Sequence, residues 1–378
     1  MNINKERLAE TFTTLCQLSS PSRDEKAVSD YLKKTFSALG ADFIHEDDSS
    51  AQTGSNCGNM IIRFNGTNAT DPVFFACHMD TVKPGLGVEV KREGDIFTSR
   101  GDTVLGGDDK SGIAPLIELV NQLKENSSAH RTIEIIFTTC EEIGLLGAKH
   151  LDHSPLQARF GYALDSSGID NVILGAPAAN RIEISVHGIA AHAGINPEAG
   201  VNAFLIGAHA ITKLRLGRID EESTANIGLM KGGVATNIVP EHLVLNGEIR
   251  SHSMEKLASY TEEIKTVFID TIADWPSPEG TDAKQPSLDF SVMSEYPAMR
   301  LSMDDTVIET VKKAGHKLGR DLDFIVAGGG SDANIFNGYG LSTAIIATGM
   351  TDVHTTDESL DLNDMVSLTE LLHAIATE

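Results

Sequence analysis

Four apolar or β-branched runs in this chain each stop at a histidine or a carboxylate. Residues 73–77 lead to His78, residues 132–139 to Glu141 and Glu142, residues 162–164 to Asp165, and residues 343–347 to the segment with His354. Short apolar runs bounded by turn residues predict buried strands. Because ligands of open parallel α/β sheets bind beyond the carboxyl ends of the strands, we expect an α/β fold with a site at that edge.

The segment FFACHMD carries the first candidate ligand. Residues two apart in a strand point to the same side. If the extended geometry continues past Cys77, one ring nitrogen of His78 can bind a metal ion while the other donates to Asp80, which fixes the tautomer. The alternative is a polar turn after a buried strand, since His-x-Asp alone is a weak signal.

A glycine-rich segment, LGGDDKSG from Leu105 to Gly112, supplies the next candidate. Apolar residues spaced three and four apart follow it and predict a helix. Asp108 therefore lies on the approach to a helix start, where an N-cap is the alternative role. Two adjacent acids and a lysine exceed what a cap requires.

Glu141 and Glu142 follow the run 132–139 and precede IGLLGAKHL. Consecutive side chains diverge, so one glutamate can bind a metal ion while the other acts as general base on a bound water. A solvated pair of charges is the alternative, but the buried strand directly before the pair makes it less favourable.

Taken together, HMD, GGDDKSG, TTCEEIG, ALDS and TDVHTTDE resemble the M20 family of co-catalytic zinc peptidases and amidohydrolases, particularly its peptidase T-like (tripeptidase) branch. The resemblance implies that Asp108 bridges two zinc ions. His78 and Asp165 then complete the shell of one ion, and Glu142 and His354 that of the other. It also implies a cis peptide between Asp108 and Asp109. Two histidines and three carboxylates suit Zn²⁺, and Co²⁺ or Mn²⁺ are workable.

The same resemblance assigns catalytic roles. Glu141 is expected to deprotonate a water that bridges the two metal ions and to pass the proton to the leaving amine. Asp80 is expected to assist by orienting His78.

Between Asp165 and His354 lies a second unit, in which strand-like and helix-like segments follow the order βαββαβ, a ferredoxin-like arrangement. Residues 178–292 are long enough for a domain of their own. We therefore expect a discontinuous catalytic domain, residues 1–177 and 293–378, with a mixed and mainly parallel sheet. The inserted unit resembles the family's lid domain, which implies a homodimer formed through it.

Three residues of the inserted unit are candidate substrate contacts. His192 lies on a small-residue loop, GIAAHAGINPEAG, and a simple loop histidine is the alternative. The resemblance implies that His192 polarises the scissile carbonyl, either in its own subunit or in its partner. It also assigns substrate contacts to Asn237 and Arg250, and a guanidinium suits a carboxylate.

Two further local motifs favour structural roles. Ser22 and Glu25 predict a capping box before the helix that starts near Ala27. In GGGSDANIF, Ser331 or Asp332 can cap the following helix. Tripeptidases of the family carry an arginine near the position of Gly328, so the preferred peptide length stays open.

The charge and composition limit the partners. The 378 residues include 30 Lys and Arg and 54 Asp and Glu, which gives a net charge of −24. Binding to nucleic acid is not expected, because it would have to overcome repulsion. The sequence shows neither a signal-peptide core nor an apolar stretch of membrane-spanning length, so we expect a cytoplasmic protein without a membrane partner. The four cysteines lack CxxC spacing and are expected to be reduced core thiols.

These observations predict a di-zinc exopeptidase that removes the N-terminal residue from short peptides. Two alternatives stay open: an N-acyl-amino-acid amidohydrolase of the same family, and a non-catalytic metal- or peptide-binding module. Glu141 argues against the second, because binding alone needs no general base.

Overall fold

The structure, a computed structural model, describes residues 3–276 and 285–378 and divides into two compact units. The first comprises Met1–Gly175 and Met299–Glu378, and the second Ala176–Ala298. The strands, in chain order, are β1 Phe43–Glu46, β2 Met60–Phe64, β3 Val73–His78, β4 Val90–Glu93, β5 Ile96–Ser99, β6 Ile133–Thr138, β7 Phe160–Ala163, β8 Asn171–Ala176, β9 Ala178–His187, β10 Gly217–Asp220, β11 Ser223–Gly232, β12 His242–Ser251, β13 Ser287–Tyr296, β14 Met299–Arg300, β15 Asp323–Val326, β16 Ser342–Ile346 and β17 Ser359–Asp361.

The helices connect these strands across both units. They are α1 Lys5–Gln17, α2 Lys26–Ala38, α3 Ser50–Thr53, α4 Gly107–Glu125, α5 Leu146–Lys149, α6 Ala203–Ile211, α7 Met254–Ala273, α8 Thr306–Lys317, α9 Asp332–Gly338 and α10 Leu362–Ala376, with a 3₁₀ turn at Pro197–Ala199. Within the described residues, no helix combines the length and apolar character needed to cross a membrane.

The central sheet of the first unit has the order β1-β2-β6-β3-β7-β16-β8-β14, and β15 pairs with β8. Strands β6, β3, β7 and β16 are mutually parallel, whereas β1, β2 and β8 join through antiparallel pairs. The carboxyl ends of β6, β3, β7 and β16 therefore lie at one edge of the sheet. This mixed, mainly parallel sheet confirms the predicted fold class.

Buried aromatic and aliphatic side chains explain why these strands form the centre of the unit. All residues of β3, β6 and β7 are buried, including Phe74, Phe75, Phe137 and Tyr162. Strands covered on both faces require such continuous apolar runs. Helix α4 packs against α1 and α10. Its first turn departs from helical geometry at Asp108 and Asp109, and the peptide between them is cis, as the resemblance implies.

The second unit is a five-stranded antiparallel sheet of order β10-β11-β12-β9-β13, covered by α6 and α7. Ile182, Ile184, Leu243 and Phe268 belong to its buried core. The element order is the predicted βαββαβ with one addition, the short edge strand β10. Its sequence, Gly-Arg-Ile-Asp, has no apolar alternation and therefore does not predict a strand.

The predicted capping box at Ser22 and Glu25 is wrong. Glu25 is itself the N-cap of α2 and makes no side-chain capping hydrogen bond. Ser22 Oγ instead donates to Asp80 Oδ2 at 2.7 Å, and the Glu25 side chain accepts from Cys140 N at 3.0 Å. Both side chains thus form hydrogen bonds with loops that are distant in sequence. In contrast, Ser331 caps α9 and forms a capping box with Asn334.

Candidate metal centre

Asp108 lies between two histidines, His78 and His354, that are far apart in the sequence. Its Oδ1 is 3.0 Å from His78 Nε2, and its Oδ2 is 3.0 Å from His354 Nε2. His354 Nε2 is also 3.1 Å from Glu142 Oε1. Each oxygen of one carboxylate therefore faces a different imidazole, which is the arrangement that a ligand shared by two ions requires.

Two sets of donor atoms share Asp108. His78, Asp108 and Asp165 form one set, and Asp108, Glu142 and His354 the other; within each set the donor atoms lie within 4.8 Å of one another. A third possible set is His78, Glu141 and Glu142. Donors of a tetrahedral zinc shell lie about 3.3 Å apart. The measured 3.0 and 3.1 Å separations and the mixed nitrogen and oxygen donors thus fit divalent ions.

The tautomer of His78 is fixed by its neighbour two residues on. His78 Nδ1 lies 3.0 Å from the main-chain oxygen of Asp80 and 3.4 Å from its Oδ1. A carbonyl oxygen only accepts, so Nδ1 carries the proton and Nε2 is the nitrogen available to an ion. The predicted pairing of His78 with Asp80 is present, but its shorter contact is with the main chain.

The carboxylate of Asp80 mainly accepts hydrogen bonds from the main chain of the Glu141–Glu142 turn. Its Oδ1 accepts from Glu141 N at 3.0 Å, and its Oδ2 accepts from Glu142 N at 3.2 Å. Glu25 completes the pattern, since its Oε1 accepts from Cys140 N at 3.0 Å. Two buried carboxylates therefore hold three consecutive N–H groups of the turn after β6, and Cys140 has a φ of +54° there.

Glu141 is 9% exposed. Burial, and next the charge of Asp165, raises the pKa of Glu141 above its ordinary value. Burial and the charge of Asp108 raise the pKa of Asp165 to about 7. For Asp108, burial opposes ionisation, but hydrogen bonds with His354 and His78 hold its pKa below the ordinary value. The carboxylates thus differ in basicity, and a glutamate with a raised pKa suits proton transfer near neutral pH.

Sequence reasoning missed Glu358 and left Lys110 without a role. Glu358 is buried and accepts from Gly106 N at 2.8 Å and Asp108 N at 2.9 Å, which fixes the start of α4. Lys110, 1% exposed, donates to Ser20 Oγ at 3.0 Å and Met79 O at 3.1 Å. Glu358 stands four residues after His354 in TDVHTTDE, so its position within that segment was the available signal.

The predicted substrate-binding residues of the second unit lie in two separate places. Ala193 N donates to Asn237 O at 2.9 Å, and His192 bridges to Ile238, so His192 and Asn237 share one exposed corner. That corner extends the ladder of β9 and β12 beyond its last pair, His187 with His242.

Arg250 lies near the other end of β12, opposite Ala179. It is eight residues from His242, or about 27 Å along a strand. Its Nη2 donates to Glu248 Oε2 at 3.1 Å, and its buried Nε has no partner among the described residues. Arg250 therefore does not join His192 and Asn237 within one copy of this unit.

A cavity of about 470 Å³ opens beside the metal centre in the first unit. Its wall includes Asp108, Glu141, Glu142, Asp165 and His354. The rest of its lining is apolar, glycine or serine: Ile173, Ala327, Gly329, Gly330, Ile345, Met350 and Val353 with Ser166, Ser167 and Ser331. A space of this size beside clustered ligands suits a small substrate.

Comparison with known proteins places this site in a family. Residues 74–378 match the model of peptidase family M20/M25/M40. The uncharacterized protein YqjE of Bacillus subtilis (strain 168) is 41% identical over 377 residues, which cover 100% of this chain and 99% of YqjE.

Two solved structures extend that likeness to the whole fold. Aminopeptidase PepT from Bacillus cereus ATCC 10987 superposes with a TM-score of 0.91 at 39% identity, covering 99% of this chain and 98% of that one. A tripeptidase from Staphylococcus aureus subsp. aureus Mu50 superposes with a TM-score of 0.93 at 33% identity, with the same coverage. The chain is an M20 metallopeptidase, a member of peptidase family M20/M25/M40.

Proposed function

We propose that this chain is a co-catalytic di-zinc aminopeptidase that removes the N-terminal residue from short peptides, tripeptides among them. The observation that carries the proposal is the position of Asp108, whose two oxygens face His78 and His354. Likeness to an aminopeptidase and a tripeptidase over almost the full chain supports the direction and length of the substrate.

In this proposal His78, Asp108 and Asp165 hold one zinc ion, and Asp108, Glu142 and His354 hold the other; Co²⁺ or Mn²⁺ can substitute. The ions, when bound, polarise the scissile carbonyl and make water acidic enough to react near neutral pH.

Glu141 moves the proton. A carboxylate oxygen of Glu141 takes a proton from the attacking water as the water oxygen bonds to the carbonyl carbon. The same oxygen then gives that proton to the amine nitrogen as the C–N bond breaks. Asp80 Oδ1 accepts a hydrogen bond from Glu141 N at 3.0 Å, which limits movement of the base.

His192 and Asn237 contact the substrate from the second unit, and Arg250 does so at a different place. An extended tripeptide is about 10 Å long, whereas the strand from Arg250 to His242 alone spans about 27 Å, and the His192 corner lies beyond His242. One copy of the second unit therefore cannot supply all three contacts to one peptide, which supports a homodimer in which His192 serves the partner's substrate.

Exposed apolar side chains on the second unit agree with such a dimer. Leu229 and Met230 of β11 are 57% and 52% exposed, and Met293 of β13 is 60% exposed. Within residues 3–276 and 285–378, β11 pairs with β10 only at Ser223–Ala225. The rest of that edge of β11 has no strand beside it there and suits pairing with a second copy. We place the homodimer interface in this unit and the protein in the cytoplasm.

The test uses metal-stripped protein with and without added zinc. Release of free amino acids is measured from di-, tri- and tetrapeptides and from N-acetylated amino acids. We expect zinc-dependent cleavage of unblocked tripeptides. Cleavage of the acylated compounds alone would make the chain an N-acyl-amino-acid amidohydrolase, and binding of zinc and peptide without turnover would make it a binding module.

Glu141→Gln separates catalysis from metal binding. We expect kcat to fall by about 10²- to 10⁴-fold, the range for loss of a general base, with an unchanged amount of bound zinc by elemental analysis. Glu10→Gln, an exposed glutamate of α1, is the matched control. A loss of less than threefold in Glu141→Gln would refute the assignment of the base.

A further inference from the structure

A second cavity of the first unit shares a wall with the metal centre. Its volume is about 570 Å³, and it is lined by Ser22, Arg23, Thr81, Val82, Lys83, Glu142 and Ile143. Glu142 also lines the cavity that holds Glu141 and His354. The two spaces therefore share one candidate metal ligand in their linings.

The two cavities differ in charge. The cavity beside His354 is lined by four carboxylates, and no lysine or arginine lines it within the described part of the chain. The second cavity has two cations, Arg23 and Lys83, against the single carboxylate of Glu142. When Glu142 binds a metal ion its charge is offset, so the two cations define the charge of this space.

Neither cation stabilises the fold through an ion pair. Arg23 and Lys83 are exposed, and their side chains have no ion-pair or hydrogen-bond partner in residues 3–276 or 285–378. In a chain with a net charge of −24, these two cations line one cavity without an ion pair among the described residues. They attract an anion and serve no internal pair.

The backbone that carries Arg23 is anchored to the metal centre. Ser22 Oγ donates to Asp80 Oδ2 at 2.7 Å, and that same oxygen accepts from Glu142 N at 3.2 Å. Arg23 N donates to Glu25 Oε1 at 2.9 Å. Arg23 has a φ of +80°, a region that costs free energy for a side chain other than glycine. These contacts hold the arginine in that conformation.

Lys83 is brought to the same cavity by the loop after β3. Thr81 N donates to Ser20 O at 2.9 Å, and Thr81 bridges to Pro21. The loop of Lys83 and the segment of Arg23 are therefore joined directly through their main chains.

We propose that Arg23 and Lys83, and not Arg250, bind the C-terminal carboxylate of the peptide substrate. The proposal rests on the proposed aminopeptidase function. In a tripeptide, two residues separate the scissile carbonyl from the terminal carboxylate, a reach of about 7 Å. A space that Glu142 lines and that has a volume of about 570 Å³ holds a fragment of that size. A guanidinium and an ammonium are the side-chain groups that recognise a carboxylate.

The experiment combines changes in the enzyme with a change in the substrate. Steady-state kinetics are measured with Ala-Ala-Ala and with its C-terminal amide, for the zinc-loaded wild type, Arg23→Ala, Lys83→Ala and the double variant. We expect the double variant to lose about 10- to 50-fold in kcat/KM on the free acid, mainly through KM, as for charged hydrogen bonds partly exposed to water. On the amide its kcat/KM should change by less than threefold.

Lys34→Ala is the matched control, since Lys34 is an exposed lysine of α2 that lines neither cavity. Arg23→Lys keeps the charge and should recover part of the loss. If the wild type does not cleave the amide, competitive inhibition by Ala-Ala and by its amide gives the same comparison.

Equal losses on the acid and the amide would overturn the proposal, because a structural defect does not distinguish the two termini. Equal cleavage of both by the wild type would overturn it as well. The aminopeptidase function survives either result, whereas absence of zinc-dependent tripeptide cleavage in the wild type refutes that function itself.

Discussion

Asp80 organises the turn that carries Glu141 and Glu142 through hydrogen bonds to its carboxylate. It contacts His78 through its main-chain oxygen and uses both carboxylate oxygens for the N–H groups of Glu141 and Glu142. Each hydrogen bond from a main-chain donor to a charged acceptor contributes more than a neutral one. The predicted base and a predicted ligand thus share one anchor.

Asp80→Asn tests that anchor. The amide has one accepting oxygen, so one of the two N–H groups loses its acceptor and faces an NH₂ group instead. We expect kcat for tripeptide cleavage to fall by about 10- to 100-fold, by analogy with other misplaced catalytic groups. Zinc content should stay close to that of the wild type, because His78 Nδ1 keeps its 3.0 Å contact with the main-chain oxygen at this position. Asp30→Asn, on the exposed face of α2, is the control. A kcat within threefold of wild type would contradict the role of Asp80.

At the scale of elements, the turn between β6 and α5 depends on a helix start far away in sequence. Glu25, at the N-terminus of α2, is fully buried; its Oε1 accepts from Cys140 N, and its Oε2 accepts from Ser55 Oγ at 2.5 Å. The segment of Ser20 to Glu25 precedes the region matched by the family model, which begins at residue 74. It nevertheless contacts three loops of the metal centre.

Glu25→Ala should loosen this turn. Cys140 N loses its acceptor, so peptides covering residues 139–146 should exchange amide hydrogens at least about tenfold faster, and kcat should fall by about 10-fold or more. Ser55→Ala is a matched control, since it removes the hydrogen bond to Oε2 of the same carboxylate and leaves the contacts of Oε1 with Cys140 N and Arg23 N. If both variants lose activity in proportion to their loss of thermal stability, Glu25 has only a structural role.

These contacts also show where sequence reasoning ends. Apolar runs identify β3, β6, β7 and β16, and the residues after them lie together, because parallel strands end at one edge. Periodicity cannot say which N–H group a carboxylate accepts. Glu25 and Cys140 are 115 residues apart, and Ser22 and Asp80 are 58 apart. The local pattern at Ser22 and Glu25 therefore predicted a capping box, whereas tertiary contacts gave both side chains other partners.

At the scale of the molecule, the second unit places its predicted contacts at two ends of a long sheet. The ladder of β9 and β12 runs through ten pairs, from His187 and His242 to Ala178 and Ser251. The sequence predicts most of these strands but not the distance between Arg250 and His192. That distance bears directly on whether His192 acts in its own subunit or in the partner.

Mixed dimers of two inactive variants decide between the alternatives. Co-expression of His192→Ala with Glu141→Ala gives heterodimers in which one site has an intact Glu141 and, if His192 acts in trans, an intact His192 from its partner. With random pairing in a closed two-fold dimer, about one quarter of all sites regain activity. If His192 acts within its own subunit, no heterodimer has a complete site, and the mixture stays as inactive as the separate variants. Size-exclusion chromatography with light scattering establishes the dimer first, and a monomer by that measurement would contradict both the interface and trans action.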